Sequence, residues 1–237
     1  MKKVLGGIAW MFRAGFRLGL FFFIFSLYQV LFYRFLDPWT TPKIVSNWVE
    51  NGFYEGNWAF PEYEWVDFEE VSPYVFLAVM TAEDQKFLQH HGFDIEAIEK
   101  AFKNNKKGRR IKGASTISQQ VSKNMFLWPG RNFVRKGLEA YYTILIEVFW
   151  PKKRILEMYV NIVELGPNVY SIQKASEKYF KKPAAQLTRE QAALVASVLP
   201  NPVRYKIAQP SAYVLRRKNW VLSQMRYVGN KKLIESL

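Results

Sequence analysis

The 237-residue chain has no cysteine, which excludes disulfides and thiolate-ligated metal centres from any account of its stability or chemistry. Acids are scarce: 20 Asp and Glu stand against 34 Lys and Arg, a formal charge of +14. An excess of that size favours anionic partners, namely phosphates, an acidic membrane surface or nucleic acid. Alternating apolar and polar positions, the mark of half-buried strands, are missing after residue 72, where nearly every stretch repeats at helical spacing. The predicted fold class is therefore mainly α. A small-x-small cleavage pattern is also lacking after the first apolar run, so that run reads as an uncleaved signal anchor.

The run covers residues 18–33, LGLFFFIFSLYQVLFY, with no charge inside it and Arg34 near enough to its end to snorkel. At 1.5 Å per residue it spans most of a hydrocarbon core about 30 Å thick. Lys2, Lys3, Arg13 and Arg17 precede it with no acid among them, so the positive-inside rule predicts a cytoplasmic N-terminus and a domain on the outer side. The expected division is a basic cytoplasmic segment (1–17), a transmembrane signal anchor (18–36), a Pro-, Gly- and Trp-rich linker of irregular structure (37–71) and one domain (72–237). With 49% hydrophobic and 17% aromatic residues, that domain has material for a good-sized core.

Within the domain, residues 81–94, TAEDQKFLQHHGFD, draw attention first. Ser72 and Pro73 suit the N-cap and N1 positions of a helix whose apolar stripe is Val75, Phe76, Val79 and Met80. Glu83 ends that stripe, with Phe87 one turn further and Gly92 as the expected stop. A carboxylate beside apolar surface loses solvation in its charged form, so its pKa rises and it can accept a proton near neutral pH. His90 and Asp94 add polar groups; the plainer alternative is a solvated helix end with a glycine cap.

Residues 103–112, KNNKKGRRIK, carry six cations and no acid, either a solvated loop or one that closes on an anion. GASTISQQVSKN follows at 113–124: Ser115 or Thr116 caps a helix with Ile117, Val121 and Met125 buried, leaving Gln120, Lys123 and Asn124 on another face. Two adjacent amides and a lysine suit sugar hydroxyls and phosphate, or form an ordinary polar face. Residues 126–129 are apolar and aromatic and suit contact with lipid. On the next helix, Arg135 and Glu139 have i,i+4 spacing, worth little as an exposed ion pair. With Lys136 beside them, the two cations and the acid can instead hold a diphosphate and a bridging metal. Lys153, Glu157 and Asn161 fall on one face of the helix that follows and read as braces. Thr188 and Gln191 fit a capping box, and the last helix, from Ser211 to Tyr227, is expected to carry Arg216, Arg217 and Lys218 outward.

Taken in order, these segments resemble the peptidoglycan glycosyltransferases of the lysozyme-like class, glycosyltransferase family 51. The first family motif, ED-x-x-F-x-x-H-x-G-F-D, is met at Glu83, Asp84, Phe87, His90, Gly92, Phe93 and Asp94. The second, G-x-S-T-I-x-Q-Q-x-x-K-N, is met at Gly113, Ser115, Thr116, Ile117, Gln119, Gln120, Lys123 and Asn124, and R-K-x-x-E at Arg135, Lys136 and Glu139. A fourth falls on Ile155, Leu156, Glu157, Tyr159 and Asn161, and the fifth resembles Glu190 through Pro200, Asn201 and Pro202. Ala114 and Ser171 stand where glycine is commoner in the family, and Lys174 where a small or apolar residue is usual. Ser171 and Lys174 match S-x-x-K, but no K-T-G accompanies them, so a penicillin-binding transpeptidase site is not expected.

The resemblance implies a lysozyme-like fold and polymerisation of lipid II, with the acceptor 4-hydroxyl displacing undecaprenyl diphosphate from a growing glycan and inverting to a β-1,4 link. It makes Glu83 the base, Glu139 the second catalytic carboxylate and a possible ligand for Mg²⁺ or another divalent cation. Asp84, Ser115, Thr116, Gln119, Gln120, Lys123, Asn124, Arg135 and Lys136 become substrate-binding residues. It further implies the bacterial inner membrane with the domain periplasmic, contact with membrane lipids, association with penicillin-binding transpeptidases or division proteins, and no nucleic-acid partner. The rival readings are a lytic transglycosylase or muramidase using Glu83 as acid, and a tethered basic protein binding polyanions through residues 103–112.

Overall fold

The computed structural model describes residues 2–106, 115–130 and 132–237. Of the basic stretch 103–112 expected to be a loop, residues 103–106 are helical and 107–112 lie outside the described residues, as do Gly113 and Ala114. The chain forms two units, residues 1–37 and 38–237.

The first unit is a single helix, α1 (Lys2–Phe35). The basic N-terminus forms the opening turns of the same helix. Trp10–Phe35 is long and apolar enough to cross a membrane, and no other helix among the described residues is. Its large side chains, Phe21 and Ile24 among them, stand exposed, the condition of a helix whose apolar surface is meant for lipid.

In the second unit the stretch expected to be a linker contains a helix, α2 (Pro42–Glu55). Thr41 caps it by accepting the amide of Ile44 at 3.3 Å, Pro42 takes the first turn, and Gly56 ends it at φ 67°. The residues after α2 are also fixed. Asn161 accepts from Val66 N–H at 3.0 Å and donates to Val66 C=O at 2.8 Å, and Glu157 accepts from Phe68 N–H at 2.8 Å. Lys153 pairs with Glu69 at 2.5 Å. The three brace residues of the sequence thus tie this segment down.

The core is built on α3 (Pro73–Glu83), in which Val75 through Thr81 are all buried. A helix apolar on every side must be surrounded, and α9 (Arg189–Val198) and α10 (Ala212–Val228) pack on it. Ala192, Ala193 and Ala196 are buried in α9 and let the helices approach closely. Ser72 stands at the N-cap of α3, but its hydroxyl donates to Leu187 C=O at 2.8 Å and makes no cap bond. Helix α4 (Ile95–Lys106) follows, then α5 (Ile117–Phe126), packed between α6 (Phe133–Phe149) and α7 (Lys152–Ile162).

Two details depart from the helical spacing expected throughout after residue 72. After α7 the chain forms a small antiparallel hairpin, β1 (Glu164–Gly166) with β2 (Val169–Tyr170). Helix α8 (Ile172–Phe180) starts only after Ser171, held at φ 71°, the left-handed conformation in which glycine is at ease. The short α11 (Lys231–Glu235) closes the chain. The mainly α class stands.

Candidate active site

Helix α3 stops at Glu83, two turns before the glycine expected to end it. Asp84 leaves helical geometry because its carboxylate has better partners elsewhere: His90 Nε2 at 2.9 and 3.1 Å and the amide of Ile117 at 3.1 Å. That amide is in the first turn of α5, where a carboxylate is favoured by the free N–H groups. The turn between α3 and α4 is then fastened from behind. Lys152 donates to His90 C=O and to both oxygens of Glu147, each at 2.8 Å, and its ammonium lies 4.4 Å from the centre of the Phe87 ring. Thr116 Oγ1 donates to Gly92 C=O at 2.6 Å. Gly92, at φ 87°, sits where an added Cβ would come 2.7 Å from Thr143 Cγ2, so the tight passage against α6 requires glycine.

So held, Glu83 faces Gln120 and Arg217. Gln120 Nε2 donates to Glu83 Oε2 at 3.0 Å, and Tyr159 donates to Gln120 Oε1 at 3.4 Å, orienting the amide. Arg217 reaches from α10 to Ala82 C=O at 3.2 Å and Glu83 Oε1 at 3.5 Å. Burial dominates and raises the pKa of Glu83 above the usual carboxylate value, with Gln120, Arg217 and Lys123 opposing and Asp84 assisting. Burial and the nearby carboxylates also push Tyr159 up, so it remains a hydroxyl donor. A desolvated carboxylate at the end of an apolar helix, oriented by an amide, is a proton acceptor in waiting.

The second centre is on α5 and α6. Glu139 accepts from Arg135 at 3.1 Å and from Lys136 at 2.5 Å. Arg135 and Glu139 are buried, which removes the exposed-pair reading, whereas the Lys136 side chain is half exposed. The Lys123 ammonium makes no hydrogen bond or ion pair with any described residue. Burial lowers its pKa first; Glu139 opposes this, and Lys43, Arg135 and Lys136 add to it. The field of Lys123 is also felt at Glu83, linking the two centres electrostatically. A cavity of about 350 Å³ opens here, lined by Lys43, Lys123, Asn124, Arg135 and residues 127–130. Its charge suits an anion. A larger cavity of about 500 Å³, between α3, α10 and α11, is lined by cations too but by none of the residues expected to bind substrate, so size alone does not locate the chemistry.

Of the residues expected to bind substrate, Gln120, Lys123, Asn124, Arg135 and Lys136 belong to these two centres. Ser115 is exposed. Thr116 and Gln119 form a reciprocal capping box at the start of α5, with Thr116 Oγ1 accepting the Gln119 amide and Gln119 Oε1 accepting the Thr116 amide. Asp84 acts on protein groups, as described. Glu139 is the sole acid of its centre and both its oxygens meet cations; no group of three metal-ligating side chains occurs among the described residues. This donor set does not fit a divalent cation held by protein alone.

Three residues escaped the sequence reading. Arg217, expected outward, lies in register with Val214 and Val221 on the buried face of α10. That register was a usable signal. Tyr159 reads as core until its hydroxyl is seen at Gln120, and Lys43 falls in the stretch taken for a linker.

The helical domain thus carries a carboxylate disposed to accept a proton and, linked to it through the field of Lys123, a cation-lined cavity disposed to hold an anion. Residues 57–226 match the family described as Transglycosylase, and the chain belongs to that family. It is 52% identical over 206 residues to a protein of Bdellovibrio bacteriovorus named biosynthetic peptidoglycan transglycosylase, covering 87% of this chain and 82% of that one. Proteins of the same name from Xanthomonas axonopodis pv. citri and Xylella fastidiosa are 47% and 46% identical over 212 and 213 residues, covering 89% and 90% of this chain and 86% and 87% of theirs.

Proposed function

We propose that this protein polymerises the glycan strands of peptidoglycan from lipid II. The observation that carries the reading is the pairing of Glu83, a carboxylate whose burial favours proton uptake, with the cavity of Lys123 and Arg135. Glu83 takes the proton of the acceptor sugar's 4-hydroxyl as that oxygen bonds to the donor's anomeric carbon. The bond from that carbon to the diphosphate breaks, and the electron pair leaves with the undecaprenyl diphosphate. One displacement turns an α-linked donor into a β-1,4 product. A base so placed contributes on the order of 10² to 10⁴ in rate, and no acid is needed because cations meet the charge of the leaving group.

Glu139 keeps Arg135 and Lys136 in place for that task. Hydrolysis by a paired-carboxylate route needs a second acid free to direct water, and the two cations on Glu139 argue against that role. A divalent cation such as Mg²⁺ enters this scheme only as a companion of the diphosphate, and no step is assigned to it. The domain lies on the outer side of the bacterial inner membrane, with the N-terminus cytoplasmic, since the four cations before the apolar run favour retention inside. Transpeptidases that cross-link the new strands, and division proteins, are the partners this activity calls for.

The test is incubation of the detergent-solubilised full chain with labelled lipid II or with preformed glycan. Polymer from lipid II and no shortening of glycan is the expected result. Shortened glycan without polymer would overturn the reading in favour of a hydrolase or lytic enzyme.

A further inference from the structure

Helix α2 ends before the matched family domain begins at residue 57, yet it delivers Lys43 to the cavity occupied by Lys123, Asn124 and Arg135. Lys43 is half-buried and its ammonium donates to Asn47 Oδ1 at 2.6 Å. Asn47 is itself anchored to the hairpin, donating to Tyr170 Oη and to Glu164 Oε2. The lysine is therefore aimed by a chain of bonds and not left to swing in solvent.

Its surroundings favour an anion. Among the described residues no carboxylate lies within ion-pair distance of Lys43 or of Lys123, and the two ammonium groups repel each other. Glu164 attracts Lys43 from the hairpin side, but burial favours the protonated form of that acid. The third cation, Arg135, spends one terminal nitrogen on Glu139, while its Nε is buried without a hydrogen-bond partner. Three like charges gathered round one cavity, with the single acid Glu139 bonded to one of them, are stable together once an anion enters. An anion with several oxygens and more than one negative charge matches three donors reaching it from different helices.

We propose that Lys43 is a substrate-binding residue of this cavity, holding a phosphate oxygen of the prenyl-diphosphate-linked donor together with Lys123 and Arg135. This rests on the proposed polymerase reading. It adds a cation contributed from outside the family domain, on a helix that the sequence alone presents as linker. Lys43 then does more than lengthen the list of contacts: it ties the position of α2 to donor binding, because Asn47 and the hairpin set where its charge lies.

The experiment uses the detergent-solubilised full chain and measures binding of undecaprenyl diphosphate to wild type, Lys43→Met and Lys43→Arg, with undecaprenol and inorganic diphosphate as control ligands. Lys43→Met is expected to weaken undecaprenyl diphosphate about tenfold, the loss of one charge-assisted hydrogen bond at a partly solvated site. Inorganic diphosphate should weaken in parallel, undecaprenol should bind unchanged, and Lys43→Arg should restore most of the affinity at an unaltered melting temperature. The same variants assayed with lipid II should show a raised KM with kcat less affected. Unchanged diphosphate binding in Lys43→Met overturns the inference while polymerisation by the wild type leaves the functional reading standing. Equal weakening of undecaprenol overturns it too, since the effect is then on the lipid and not on the phosphates. A wild type that neither polymerises lipid II nor binds undecaprenyl diphosphate overturns both.

Discussion

Replacing Arg217 by Met removes a charge from Glu83 while keeping most of the side chain's apolar bulk. The guanidinium lies 3.5 Å from Glu83 Oε1, and the two side chains are 21% and 15% exposed. Unit charges at that distance attract by about 1.2 kcal/mol at the dielectric of water and by about 4.7 kcal/mol at an effective value of 20. Truncation admits water to the gap, so the lower part of that range applies, and a loss of about 1.4 kcal/mol corresponds to a tenfold change in the ionised fraction of Glu83. The sign follows from the chemistry. Only ionised Glu83 accepts a proton, Arg217 favours the ionised form, and its removal makes Glu83 hold its proton to higher pH. Initial rates of glycan polymerisation measured against pH should show the acidic limb moved upward in Arg217→Met. At a pH on that limb the variant should fall about tenfold further behind wild type than it does on the plateau. A uniform drop with superimposable limbs, or movement of the limb to lower pH, would refute the reasoning and leave Arg217 as a strut between α10 and Ala82.

Three other outcomes follow from the same geometry. Because burial raises the pKa of Glu83, ionisation of this group costs stability above its folded pKa and the cost vanishes below the unfolded one; Glu83→Gln should therefore melt higher than wild type at neutral pH, with the gap closing toward pH 4 in thermal scans. Arg135→Ala should cost about 2 kcal/mol by leaving one oxygen of buried Glu139 unpaired while Lys136 holds the other, whereas Lys136→Ala, at a half-exposed site, should raise KM for lipid II with a smaller change in melting temperature. Asn161→Ala, which leaves both polar groups of Val66 unpaired, should destabilise by about 2 to 4 kcal/mol in denaturant titrations without moving the pH profile.

Much of the site was legible because it lies on regular helices. Glu83, Gln120, Lys123, Arg135 and Glu139 sit on periodic segments, and helical spacing fixes which of them share a face. What spacing cannot report is the competition for a side chain. Thr116 and Gln119 carry the same T-x-x-Q pattern as Thr188 and Gln191, and both pairs are capping boxes, yet the first pair lies inside a motif and invites a ligand-binding role. The end of α3 is hidden from spacing for a related reason. Gly92 is the obvious local stop, but Asp84 gains His90 and the Ile117 amide from outside the helix, and those tertiary partners outweigh one more turn. The charge of Arg217 suggests solvent, but its register with Val214 and Val221 points inward. Helix α2 is hard to see in sequence because Pro, Gly and Trp suggest irregularity, although Thr41, Pro42 and Gly56 are its punctuation.

The central claim is that Glu83 takes the proton while the cations of α5 and α6 meet the diphosphate. It is tested most directly by single-turnover glycan polymerisation from lipid II with wild type and Glu83→Gln, alongside lipid II binding by both. The account predicts polymer from wild type, a loss on the order of 10² or more in the variant, and binding that is nearly unchanged. Polymerisation by Glu83→Gln near the wild-type rate would contradict it.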